Sequence, residues 1–147
     1  MAAAAKKNAG TTYWIGTTAT NGSSDTYTEI KQVKTPSGSF GYSWQMADST
    51  VTSDTSKQEA KTLKDPGAFD LSILADEDDA GQVALKAAAD DVSDAQYNFE
   101  VRYSQGDKHR MKVKVVSFDP AAEGAATLRM TKAKVSLCEP ATYVAPA

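Results

Sequence analysis

Residues 65–91, DPGAFDLSILADEDDAGQVALKAAADD, place one helical signal inside a chain otherwise patterned for strands. Asp65-Pro66-Gly67 is a turn, because Pro fixes φ and Gly admits positive φ. Phe69, Leu71 and Ile73 then alternate with Asp70, Ser72 and Leu74, the period of a half-buried strand. Asp79 is the expected N-cap of the helix that follows, with Gln82 three residues on as a capping-box partner. Asp76, Glu77 and Asp78 precede that end, where the helix dipole favours negative charge. On a helical wheel Leu85 lies among Gly81, Ala84 and Ala88. One large residue among small ones suits a short helix pressed closely onto a sheet.

The remaining chain reads as strands and turns. Tyr13, Trp14 and Ile15 mark a short strand, and residues 27–34 (YTEIKQVK) a second. Phe40, Tyr42, Trp44 and Met46 share one parity, with Ser39, Gly41, Ser43 and Gln45 on the other. This predicts a strand whose aromatic face is core. Residues 48–65 are mostly Ser, Thr, Asp and Lys, with only Val51, Ala60 and Leu63 apolar, and predict a long loop ordered from outside its own domain. Tyr97, Phe99, Val101 and Tyr103 face inward opposite Asn98, Glu100 and Arg102. A hairpin at Gly106-Asp107 leads into His109–Phe118, whose parity changes after Val115 and predicts a bulge or a doubly buried end. Leu128 and Met130 conflict in parity with Ala133, Val135 and Leu137, which predicts a second bulge near Thr131–Lys132.

At 147 residues the chain is expected to form one domain, with an N-terminal arm over 1–9 and an extended C-terminal arm over 139–147. The net charge of −3 gives the whole chain no electrostatic pull toward nucleic acid. The charge is segmental, however: residues 65–94 hold nine acids against the single base Lys86. Such segregation can steer one copy's acidic patch to another's basic patch. Residues 1–8 do not read as a signal peptide, and no apolar run approaches a membrane span. Cys138 is the only cysteine and His109 the only histidine. One of each cannot assemble a nitrogen and sulfur metal site. The acidic run read as an EF-hand loop from Asp76 places Ala87 where the bidentate Glu belongs. There is no Gly-x-Ser-x-Gly elbow and no phosphate-cradling glycine loop. The residues therefore point to no catalysis, no cofactor and no metal.

Two stretches carry a resemblance. Residues 10–38 (GTTYWIG…DTYTEIKQVKTPSG) resemble the N-terminal strands of tail tube, or major tail, proteins of long, non-contractile-tailed bacteriophages. Residues 65–91, with the strand YNFEVRY after them, resemble the strand-helix-strand segment of the same family. The resemblance implies a mainly β fold of two packed antiparallel sheets, a sandwich or partly open barrel, flanked by one α-helix. It implies hexameric rings stacked into the virion's tail tube, made in the host cytoplasm. The implied partners are further copies of the chain, the tape measure protein, and tail tip and terminator proteins. Double-stranded DNA would pass through the lumen without specific binding. An inner tube of the type VI secretion kind is an alternative; a small β-barrel ligand carrier is another. For contacts between copies, Val51 and Leu63 are the expected anchors. Lys57, Lys61 and Lys64 would meet Asp76, Glu77, Asp78 and Asp79 of a neighbour.

Overall fold

Phe69, Leu71 and Ile73 are buried while Asp70 is exposed, so β6 (Ala68–Leu74) turns one face inward as its alternation requires. The same logic sets β9 (Met130–Leu137), where Ala133, Val135 and Leu137 are buried and Lys132 and Lys134 exposed. The computed structural model describes residues 10–39, 41–121 and 128–146. Among these, the other strands are β1 (Thr12–Ile15), β2 (Thr28–Ile30), β3 (Val33–Ser39), β4 (Ser43–Asp48), β5 (Glu59–Asp65), β7 (Tyr97–Arg102), β8 (Lys108–Ala121) and β10 (Thr142–Val144). The single α-helix among them is α1 (Ala80–Asp90).

The fold is mainly β. One antiparallel sheet runs β2-β1-β7-β8-β9-β6-β3 and curls into a half-barrel, and β4 and β5 form a small second sheet. β8 is the spine. Its first half pairs with β7 and β10, and its second half with β9. A register shift between Val115 and Ser117 interrupts the β8–β9 pairing, at the parity change in the sequence. The shift keeps both Val115 and Phe118 against the core. β10 brings the C-terminal arm back onto β8, where Tyr143 pairs with His109.

The helix closes over the core with Leu85 fully buried. Gly81 is the contact point: a Cβ there would lie 2.0 Å from the Glu29 carbonyl oxygen of β2. Asp79 is the N-cap, accepting from the Gln82 amide at 3.1 Å. The capping box is only half made. Gln82 turns its side chain away from the cap residue, accepting from the Asp76 amide and donating to the carbonyls of Lys31 and Leu74. Asp79 also accepts from the Lys31 amide, so the helix start fastens the β2–β3 corner. At that corner Gln32 has φ +65°, a left-handed conformation unusual for a residue with a side chain.

Three expectations are corrected. Residues 48–65 are not one long loop: 59–65 form β5, paired with β4, leaving 49–58 as the connection. The row Tyr42, Trp44 and Met46 is not core; these side chains are 58%, 40% and 50% exposed, and Phe40 lies outside the described residues. Only Trp44 and Met46 of that row lie in a strand, because β4 begins at Ser43, and alternation cannot say whether a partner layer exists. β9 has no bulge near Thr131: its register to β6 is continuous from Met130 to Ser136. The parity conflict disappears because Leu128 precedes the strand and is exposed, while Met130 is only half-buried.

Candidate assembly surface

Every residue from 41 to 65 is exposed, so the β4–β5 hairpin stands off the body of the fold. Its polar composition closes its own connection. The Asp48 carboxylate accepts from the Thr50 amide at 2.9 Å, and the Thr50 side chain, then this amide, hold its pKa below the usual carboxylate range. Thr50 Oγ1 accepts from the Gln58 amide at 2.8 Å, and the Ser49 amide donates to the Gln58 carbonyl at 3.0 Å. Asp54 accepts from the Val51 amide at 2.9 Å. The Asp48–Thr50 bond is an Asx turn, and the bonds from Thr50 and Ser49 to Gln58 tie the two ends of the connection together.

One face of the hairpin combines rings and cations. Trp44 pairs with Lys64 and Met46 with Lys61 across the two strands. Lys64 Nζ lies 3.8 Å from the Tyr42 ring centroid, and Lys61 Nζ 5.4 Å from that of Trp44. Contacts of this kind contribute about 0.5–1 kcal/mol each at exposed sites. A two-stranded sheet with no layer behind it is marginal on its own. Exposed Trp, Tyr and Met on such a sheet make it a candidate interaction surface.

The expected site residues fall into two groups on separate elements. Val51, Lys57, Lys61, Leu63 and Lys64 are all exposed on the hairpin, with Lys57 paired to Glu59 at 3.2 Å. Asp76, Glu77 and Asp78 are exposed ahead of α1, and Glu77 is in an ion pair with Arg129. Asp79 is buried, its carboxylate engaged as the cap. Beside this turn, α1 and the adjoining ends of β8 and β9 form a cleft of about 400 Å³. Val83, Phe118, Pro120 and Met130 give it apolar walls, and Asp76, Glu77, Lys86 and Arg129 give it charged ones.

Sequence reasoning missed a polar cluster on the outward face of β1, β7 and β8. Glu100 is 1% exposed and accepts from Nε of Arg102 and of Arg110, each at 2.8 Å. Arg102 also lies 4.1 Å over the Trp14 ring. A buried carboxylate needs such paired, charge-assisted partners. The segment 16–27 covers part of this face. Asp25 ties it down, accepting from Asn98 Nδ2 at 2.8 Å, from the Thr17 amide and hydroxyl at 2.7 Å each, and from the Thr26 amide. Partial burial alone would raise the Asp25 pKa, but the bonds from Asn98, Thr17 and Thr26 outweigh it and bring it to about 2. Burial, and then the charge of Glu100, push Tyr27 up to about 12. The alternation of β7 placed Asn98 and Glu100 on this face; nothing in the sequence said that the face would be covered.

His109 is half-buried, sharing a 2.8 Å hydrogen bond between its Nδ1 and the Tyr103 hydroxyl, with Tyr143 edge-on to its ring. Burial lowers its pKa, with Asp107 acting in the opposite sense. Burial likewise pushes the Cys138 thiol up, away from the reactive thiolate. Among the described residues no three His, Cys, Asp or Glu side chains are grouped to hold a metal ion, and no helix is long and apolar enough to cross a membrane.

No known family and no curated protein matches the sequence. Solved structures do match, over nearly the full length of both chains. The tail of an empty GTA particle with C6 symmetry superposes with a TM-score of 0.69 at 12% identity, covering 96% of this chain and 100% of that one. A chain of the PVC sheath–tube complex, an extracellular contractile injection system in its extended state, gives 0.66 at 6% identity over 92% and 88%. A chain of the PVC sheath/tube terminator gives 0.68 at 8% identity over 99% and 100%. The chain has a tail-tube-like fold. At these identities the likeness is one of fold. The tail-tube-like fold reaches injection systems with a contractile sheath, so it is not peculiar to the non-contractile tails that the sequence resembles.

Proposed function

We propose that this chain is a structural subunit that forms hexameric rings and stacks them into a tail tube. The observation that carries this reading is the full-length structural match to a tail component of C6 symmetry. The wholly exposed hairpin supports it, because an assembly supplies the layer that the free subunit lacks. A head-to-tail interface that closes gives a ring, and a second, axial interface stacks the rings. In this reading the whole chain is one tube domain. Val51, Lys57, Lys61, Leu63 and Lys64 serve contacts between copies. Asp76 and Asp78 receive the lysines electrostatically, Glu77 contributes to the acidic turn while paired with its own Arg129, and Asp79 supports them as the helix cap. Tape measure, tip and terminator proteins are the companions, the virion tail is the location, and double-stranded DNA is the cargo. The chain does no chemistry of its own.

The match to a sheath–tube complex favours a second reading, the inner tube of a contractile injection system. Electron microscopy of the purified protein across a concentration series tests the proposal. Six-fold rings and stacked tubes are expected, and a monodisperse monomer at every concentration would overturn it. Decoration of those tubes by a sheath protein from the same genome would select the second reading over a non-contractile tail.

A further inference from the structure

The hairpin and the cleft beside α1 both expose apolar side chains, edged by lysines on the hairpin and by the acidic turn at the cleft. The hairpin offers an apolar row, Tyr42, Trp44 and Met46, edged by Lys61 and Lys64. The cleft offers apolar walls at Val83, Phe118 and Met130, with acids along the turn at Asp76 and Asp78 beside it. Glu77 and Arg129 are paired with each other, so in the lining Asp76 and Lys86 are the remaining charges, and Asp78 adds an acid on the adjoining turn outside it. Val83 is an exposed apolar side chain on the helix and needs cover for the same reason as Trp44.

We infer that the cleft between α1 and the β8–β9 ends takes the Tyr42–Trp44–Met46 face of a second copy's hairpin, with Lys61 and Lys64 set toward Asp76 and Asp78. The inference rests on the self-assembly reading above and names its receptor. Trp44 is the anchor, since a ring entering a preformed apolar cleft contributes far more than lysines at a rim. The acidic turn then steers the approach while the cleft holds the hairpin.

The test separates the receptor from the assembly. On a Cys138→Ser background, Met46→Cys chains are co-assembled with Val83→Cys chains and oxidised, and Val92→Cys serves as an exposed control away from the cleft. Tubes in which position 46 crosslinks to 83 and not to 92 are expected. Val83→Glu, on an exposed helical position, should leave the subunit's melting temperature unchanged and raise the concentration needed for tubes by about tenfold or more. Tubes that form normally but crosslink 46 to 83 no better than 46 to 92 overturn the inference and leave the tube reading standing. If the unsubstituted chain forms no assembly at all, both fall together.

Discussion

Asp25 shows how much one carboxylate can organise. Its four accepted bonds come from Thr17, Thr26 and Asn98, so it ties the segment 16–27 to the sheet. Its folded pKa of about 2 lies below the ordinary carboxylate value. The sign follows from linkage: a depressed carboxylate contributes stability above its unfolded pKa and loses it as pH falls toward the folded one. Urea midpoints of the parent and Asp25→Asn should therefore differ near pH 5 and converge as pH falls from about 4 to about 2. An equal difference across that window would show that shape, and not ionisation, gives Asp25 its role.

Among the elements, α1 is held by close approach. Gly81 permits the helix backbone to touch β2 at Glu29, and Leu85 then fills the core. Ala is the better helix former by about 1 kcal/mol, so propensity alone says that Gly81→Ala stabilises. The 2.0 Å approach to a backbone oxygen says the opposite, because neither strand nor helix can yield as a flexible side chain would. Gly81→Ala is expected to destabilise by about 1–3 kcal/mol or more, read as a lowered thermal midpoint. An unchanged or raised midpoint would mean that α1 rides further from β2. The hairpin is the contrasting element: its local bonds are complete, yet it lacks a layer to pack on.

For the molecule as a whole, that contrast predicts unequal stability. The sheet spine opens only with global unfolding, whereas β4 and β5 are exposed throughout and can open alone. Hydrogen exchange on the free subunit should show the amides of 43–48 and 59–65 far less protected than those of β6, β8 and β9. In assembled tubes the hairpin's protection should rise toward that of the sheet. Equal exchange of the hairpin in both states would remove it as an assembly element.

The sequence by itself determined the strand-turn-helix segment, because strand alternation, the Asp-Pro-Gly turn and the Asp79 cap are local and need no partner. It determined the mainly β class and the parity change in β8, which returned as a bulge at Val115–Ser117. Tertiary structure decided what lay beyond the strand. Tyr42, Trp44 and Met46 alternate as cleanly as Phe69, Leu71 and Ile73, yet one row is exposed and the other buried. Period records that a strand has two faces; which face is covered depends on what the rest of the chain brings against it. The capping box failed for the same reason, since Lys31 and Leu74 offered Gln82 carbonyls from distant strands. The Glu100 cluster depends on strand register, which sets Arg110 and Trp14 directly across from Glu100, and the cleft beside α1 on packing of the helix against strand ends distant in the chain.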